Sequence, residues 1–305
     1  MELTAKAYAK INLMLDILST LPNGYHDLFM IMQSVSLYDT ITVKATKTKK
    51  IEIACNKKGI PTGEKNIVHK AATVFFNETG KENPGITIRI KKNIPQAAGL
   101  AGGSADAAAT LVILNTLFEA RLSLKKLAEL GAEVGSDVPF CIMGGTMAAQ
   151  YTGTVLSFLP NLKAENIIIV KPEQDVSTAE AYAAFDSAER VRHLDTKGML
   201  IAAATQDRNG IFDRVDNVFE QFIDVPDRVD IKSVMRKHGC ECCCMSGSGP
   251  SVFGIFEKKE DAEKCLEELK KNYNEVYLCS AVSEGCEPEW YFSPNFILNE
   301  EELPF

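Results

Sequence analysis

The chain has 305 residues, of which 46% are hydrophobic and 24% charged, and its 33 basic against 41 acidic side chains leave a net charge of −8. That length exceeds one small core and predicts a two-lobed enzyme mixing helices and sheet. The acidic balance argues against nucleic acid and acidic membrane surfaces as partners, but not against an anionic ligand held by backbone amides and one lysine.

No apolar run is long enough for a membrane helix. Met1 to Lys10 lacks the charged-then-apolar form of a secretory leader, so a cytoplasmic location is the expectation. Nine cysteines, an odd count spread through apolar segments, read as reduced, buried thiols. Cys240, Cys242, Cys243 and Cys244 cluster, but no second ligand pair accompanies them. Adjacent residues on a strand also point to opposite faces, so core packing is the better reading.

Leu3 to Ile17 is apolar and predicts a strand or strand pair, broken at the turn Leu21-Pro22-Asn23-Gly24. Further strands are expected at 39–45, 50–55 and 86–91. In the last, Ile86-Thr87-Ile88-Arg89-Ile90 alternates strictly, so one face is buried. A helix is expected over Asn66 to Asn77. The segment from Ile94 to Ser104 then leads into an Ala- and Leu-rich helix, Ala105 to Phe118, and Ser123 caps another over 124–134. A turn follows at Gly135-Ser136-Asp137-Val138-Pro139. In the second half a short buried strand is expected at 167–170. Ser177-Thr178-Ala179-Glu180 has the spacing of a capping box. Helices are expected at 215–223, 231–238 and 258–273, and strands at 251–256 and 275–282. The fold class is α+β, with a domain border near 161–165.

The segment 95–104 carries the clearest chemistry. It holds three glycines within five residues and runs directly into a helix, whose free amides and positive dipole end favour phosphate. It has neither the lysine of a Walker loop nor the spacing of a dinucleotide fingerprint. Asp137 alone would be a turn residue, and Met245-Ser246-Gly247-Ser248-Gly249-Pro250 alone a connection between strands.

In order and type, these stretches resemble the GHMP kinase family. Pro95–Ser104 resembles its phosphate-binding second motif, Met245–Pro250 its third, and Ala9-Lys10-Ile11-Asn12-Leu13 its first. A finer likeness rests on Lys10–Leu13, Pro22-Asn23-Gly24-Tyr25-His26, Gly135–Phe140 and Val176-Ser177-Thr178-Ala179. These resemble the branch whose acceptor is a cytidyl diphospho-methylerythritol, in isoprenoid precursor synthesis by the non-mevalonate route. The likeness spans Lys6 to Phe256 and leaves the tail after Cys286 uncovered. Gln96-Ala97-Ala98 and Ala101 stand where many members carry more glycine, which alanine tolerates if φ stays negative. Ser104-Ala105 stands where many have two serines.

The resemblance implies a two-domain GHMP kinase fold. Residues 1–162 would form an N-terminal domain like domain 2 of ribosomal protein S5, and 163–305 a ferredoxin-like C-terminal domain plus tail. It implies ATP held by Pro95, Gln96, Ala97, Ala98, Gly99, Leu100, Ala101, Gly102, Gly103, Ser104 and Ala105, with Asn66 as an adenine-side contact or simply a helix cap. Asp137 would be the general base and Lys10 the cation beside it, with Lys6 a neighbour on the same strand face by parity. Asn12, Tyr25, His26, Thr178, Ser246, Gly247 and Ser248 would meet the substrate. Tyr25 stacks on the base or packs in the core, and His26 reads the base edge or caps its turn. Mg2+ is expected with ATP, with no carboxylate pair identified for it. The expected partner is a small-molecule substrate, not nucleic acid or membrane, and the chain a monomer or homodimer. Two alternatives stay open: a GHMP kinase with a homoserine- or mevalonate-type acceptor, and a non-catalytic binding protein on this fold.

Overall fold

A computed structural model of the protein describes residues 1–289; the tail residues Trp290, Tyr291 and Phe292 fall outside that range. In the first half the elements are β1 (Glu2–Thr20), β2 (His26–Ala45), β3 (Ile51–Cys55), α1 (Ile67–Thr79), β4 (Ile86–Lys91), α2 (Gly102–Leu117), α3 (Leu124–Val134), α4 (Val138–Met143), β5 (Thr146–Tyr151) and β6 (Val155–Phe158). The second half runs β7 (Asn166–Lys171), α5 (Thr178–Asp186), α6 (Thr196–Ala204), α7 (Arg208–Phe212), β8 (Asp216–Asn217), a 3-10 turn (Val218–Gln221), α8 (Asp227–Lys237), β9 (Cys242–Met245), β10 (Val252–Phe256), α9 (Lys259–Leu269), β11 (Glu275–Cys279) and β12 (Cys286–Glu289).

Two sheets organise these elements. The larger has eight strands, with the path β12-β1-β2-β4-β3, while β5 and β6 extend from β2 and β8 lies parallel to β1. Its frame is the long β1–β2 hairpin, closed at Leu21–Gly24, where Gly24 has φ +81°. Residues 7–17 of β1 are all buried, consistent with a strand covered on both faces. α2 is apolar all round, as a core helix should be, and packs on β1 and β2. The smaller sheet, β11-β7-β10-β9, is antiparallel throughout. Ile168 and Val170 of β7 face the small core under α8 and α9, while Ile167 and Ile169 join the main core. One continuous apolar run thus serves two cores through the period of two. β8 and β12 come from the second half of the chain but join the first sheet.

Several expectations are corrected. Residues 215–223 do not form a helix. Asn217 instead pairs in extended form with β1, donates to the carbonyls of Met245 and Gly247 at 2.8 Å, and caps the short 3-10 turn. The turn at 135–139 passes directly into α4, because Pro139 is compatible with the first helical turn. The hydroxyl of Ser177 makes no capping bond to α5. Lys6 leaves the path of Lys10 and pairs with Glu287 at 2.9 Å. All nine cysteines are free thiols; Cys242 and Cys244 are buried on one face of β9, with Cys243 on the other.

The glycine-rich loop holds a further correction. Ala97 and Ala101 do not keep negative φ: they have φ +47° and +55°, flanking Gly99 at +71°. Left-handed residues at every second position turn backbone N–H groups toward one concavity, the geometry of an anion nest. Alanine bears a steric cost of about 1–2 kcal/mol in this region. Replacing Ala101 by glycine relieves it but adds unfolded-state freedom. We expect Ala101→Gly to raise stability by up to about 1 kcal/mol in denaturant titration, with nucleotide affinity retained.

Candidate active site

The site is one cleft of about 960 Å³ between the two halves of the chain. Its floor is the loop from Pro95 to Ala101 and the start of α2, through Ser104. Gly99 is required there by a close approach, since a Cβ would lie 2.0 Å from the carbonyl oxygen of Ser246. The third glycine-rich segment, 245–249, folds over this point. The Ser246 hydroxyl donates to the carbonyl of Gly99 at 2.9 Å and accepts the amide of Asn12 at 3.2 Å. The Lys10 amide in turn donates to the carbonyl of Leu100 at 3.2 Å. Three stretches far apart in sequence are thereby locked at one place.

Lys10 and Asp137 enter this cleft from β1 and from the residue preceding α4. Lys10 is only 4% exposed and donates to Asn12 Oδ1 at 2.5 Å. Burial lowers the pKa of its ammonium, and the charge of Asp137 opposes that shift. The Asp137 carboxylate makes no capping bond to α4 and is half-buried, so it stays available to a ligand. A Cβ on Gly247 would stand 3.3 Å from Lys10 Nζ, which places the ammonium directly under the third loop.

The remaining sequence candidates divide into two groups. Tyr25, 62% exposed, stands at the rim, and His26 lies inside it. His26 Nε2 is 2.8 Å from Asp186, and the ring stacks on Tyr182 with centroids 4.6 Å apart. Thr178 and Ser248 join across the mouth through their hydroxyls at 3.1 Å. Asn66 lines the cleft, but both ends of its amide are engaged, Oδ1 by the Val68 amide and Nδ2 by the Pro61 carbonyl. Asn12, Ala105 and Ser246 are fully buried and stand behind the cleft wall, where they support the residues that form it.

Sequence reasoning missed Lys92, Asp106 and Tyr182, which all line the cleft. Burial first, and Asp137 second, push the Tyr182 phenol up to about 12, so it is a neutral hydrogen-bonding group in the ordinary range. Lys92 donates to Asp39 and, at 2.9 Å, to Asp106. Burial disfavours this ammonium, but the two carboxylates outweigh it and its pKa is raised. The available signals were a lysine closing a strictly alternating strand and a lone carboxylate in an Ala-rich helix.

The buried state of Lys10 has a consequence for stability. Its folded pKa lies below the ordinary 10.5, so between the two values the unfolded chain binds more protons. Stability should therefore gain from this group as pH rises through that window. Denaturant midpoints measured across alkaline pH should show that gain in the natural protein and a flatter profile in Lys10→Met.

Comparison with known proteins agrees with this geometry. Residues 66–145 match the family described as GHMP kinases N terminal domain, and residues 215–275 match GHMP kinases C terminal. A 4-diphosphocytidyl-2-C-methyl-D-erythritol kinase from Clostridium perfringens (strain SM101 / Type A) is 40% identical over 282 residues, covering 91% of this chain and 98% of its own. The kinase of the same name from Lachnoclostridium phytofermentans is 43% identical over 270 residues, covering 88% of this chain and 92% of its own. Among solved structures, a 4-(cytidine 5'-diphospho)-2C-methyl-D-erythritol kinase superposes with a TM-score of 0.75 at 28% identity, over 92% of this chain and 99% of that one. A homoserine kinase from Cytophaga hutchinsonii reaches a TM-score of 0.78 at 21% identity, over 94% of this chain and 97% of that one, a likeness of fold alone. At 40–43% identity over about nine-tenths of the chain, with both domain matches, the chain belongs to the GHMP kinase family.

Proposed function

We propose that this enzyme transfers the γ-phosphoryl group of ATP to the 2-hydroxyl of 4-diphosphocytidyl-2-C-methyl-D-erythritol. The observation that carries the reading is the meeting of Lys10 and Asp137 in one cleft at the head of α2. Phosphoryl transfer needs little covalent help from the protein; it needs in-line positioning and charge stabilisation. The triphosphate lies in the nest of 95–101 and against the amides that open α2. Asp137 accepts the hydroxyl proton as the acceptor oxygen bonds to the γ-phosphorus and the bond to the bridging oxygen breaks, releasing ADP. Lys10 offsets charge on the transferring group. Asn12 fixes the direction of the Lys10 ammonium.

ATP is expected to arrive with Mg2+, and the residues present fit that ion. Among the described residues Asp106 Oδ1 is buried without a partner, and Ser104, two residues earlier in α2, also lines the cleft. These two would hold the cation, which when bound neutralises phosphate charge.

The acceptor's cytosine fits the aromatic end of the cleft. Tyr25 at the rim offers an exposed ring face, and base stacking contributes about 1–3 kcal/mol per base. Asp186 fixes the orientation of His26 so that the rest of its ring can meet the base edge. Thr178 and Ser248 close the phosphate side. We place the domain division near 162/163, with the nucleotide loop and catalytic pair in the first part. The reading is of an enzyme acting in the cytoplasm as a monomer or homodimer, without nucleic-acid or membrane partners. No described helix is long and apolar enough to cross a membrane.

In an ATP-coupled assay with the cytidyl alcohol, Asp137→Asn and Lys10→Met should each lower kcat by about 10²–10⁴-fold while the circular dichroism spectrum stays native. Near-normal rates in both would reject the assignment. Tyr25→Ala should raise the KM for the alcohol about tenfold or more and leave the KM for ATP within about twofold; an unchanged alcohol KM would put the base elsewhere.

A further inference from the structure

Lys92 is the least expected charge in the molecule. It follows β4, is 5% exposed, and is shared between Asp39 of β2 and Asp106 of α2, which are 0% and 4% exposed. A buried ionic cluster of this kind is seldom a source of net stability, because desolvation of three charges cancels much of their attraction. Its position suggests another reason for it. Asp39 Oδ1 accepts the amides of Asn93 at 2.5 Å and Ile94 at 2.8 Å, the two residues immediately before the phosphate loop. Asp106 lies in the first turns of α2, immediately after that loop. One ammonium therefore ties the entrance of the loop to its exit.

The glycine at the start of α2 agrees with this arrangement. A Cβ on Gly102 would stand 3.1 Å from Lys92 Nζ and 2.9 Å from Ile94 Cγ2. The lysine passes directly beneath the helix end, where a larger residue would press on it. The loop between the two anchors contains two alanines in the left-handed region, a conformation that persists only where the surroundings over-determine it. Within residues 95–101 Ala98 and Leu100 pack into the core and the Gly99 and Leu100 carbonyls are held by Ser246 and Lys10, but no side chain of the loop makes a polar anchor at either end, where Asp39 and Asp106 stand.

We infer that Lys92 is a positioning residue for ATP: by joining Asp39 to Asp106 it holds both ends of the phosphate loop in the conformation that receives the triphosphate. The inference rests on the ATP-site reading above and adds a residue to it. Two of the three N–H donors of Lys92 are taken by its carboxylates, and its effect on the nucleotide runs through the loop ends they anchor. Its loss should consequently weaken the nucleotide side of the site and spare the acceptor side, which is built from β1, the β1–β2 turn and α5.

The test uses the full chain. Lys92→Met alone strands two buried carboxylates, so the principal variant is Lys92→Met/Asp39→Asn. The asparagine oxygen still accepts the two backbone amides, and Asp106 is untouched for the cation. Asp39→Asn alone is the milder second variant, for use if the double variant does not fold. Affinity for a fluorescent non-hydrolysable ATP analogue with Mg2+ is measured beside KM for ATP, KM for the cytidyl alcohol and the thermal midpoint. We expect the ATP-analogue Kd and the KM for ATP to rise about tenfold or more in the double variant and less in the single one, with the alcohol KM within about twofold. An unchanged analogue Kd in a folded variant overturns the inference, as does a parallel loss of both affinities. Analogue binding by the natural protein without phosphoryl transfer would count against the proposed reaction only. Absence of analogue binding by the natural protein would overturn both.

Discussion

The site depends on the approach of two glycine-rich backbones to within hydrogen-bonding distance. Gly99 and Ser246 meet so closely that no side chain fits at 99, and the Ser246 hydroxyl joins the Gly99 carbonyl to the Asn12 amide. This contact closes one end of the cleft and brings the third loop over Lys10. It also joins the two halves of the chain. Asn217, whose amide holds the carbonyls on either side of Ser246, extends the same network to β8 and from there back to β1. A buried serine thus bridges β1 and the glycine-rich loop through one hydroxyl.

Electrostatics explains why lysines are tolerated inside this protein. Lys10 and Lys92 both end in the low-dielectric floor of the cleft, where an unpaired ammonium is costly. Lys92 is compensated by two carboxylates in contact. Lys10 has only an amide oxygen in contact and a carboxylate farther off, which leaves its charge less satisfied and its pKa lowered. An incompletely compensated cation beside a concave loop of backbone amides is preorganised for an anion. The two lysines thus differ, one paired with two carboxylates at the ends of the loop and one turned to the cleft with an amide oxygen.

What the sequence made legible was periodic or local. The strict alternation of 86–90, the Ala-rich helix after Ser104 and the caps at Asn66 and Ser123 all produced the elements they signal. The glycine loop was readable because backbone freedom leaves a mark in composition, whereas Lys10 and Asp137 stood out only through the resemblance to the family. The misses were non-local. Asn217 lies in a segment with helical periodicity, but its side chain serves carbonyls about thirty residues away, and that tertiary demand overrode local preference. Asp39 and Asp106 drew no reading, because nothing in the chain around either names the lysine they share. The alanines at 97 and 101 were expected to keep negative φ, but both lie in the left-handed region, which their own residue type does not announce.

The most direct measurement is a crystal structure of the ternary complex with a non-hydrolysable ATP analogue and the cytidyl alcohol. The account requires the γ-phosphate to lie on the amides at the start of α2, with the acceptor hydroxyl within hydrogen-bonding distance of Asp137 and Lys10 beside both. A complex with the triphosphate elsewhere, or with the acceptor hydroxyl turned away from Asp137, would contradict it.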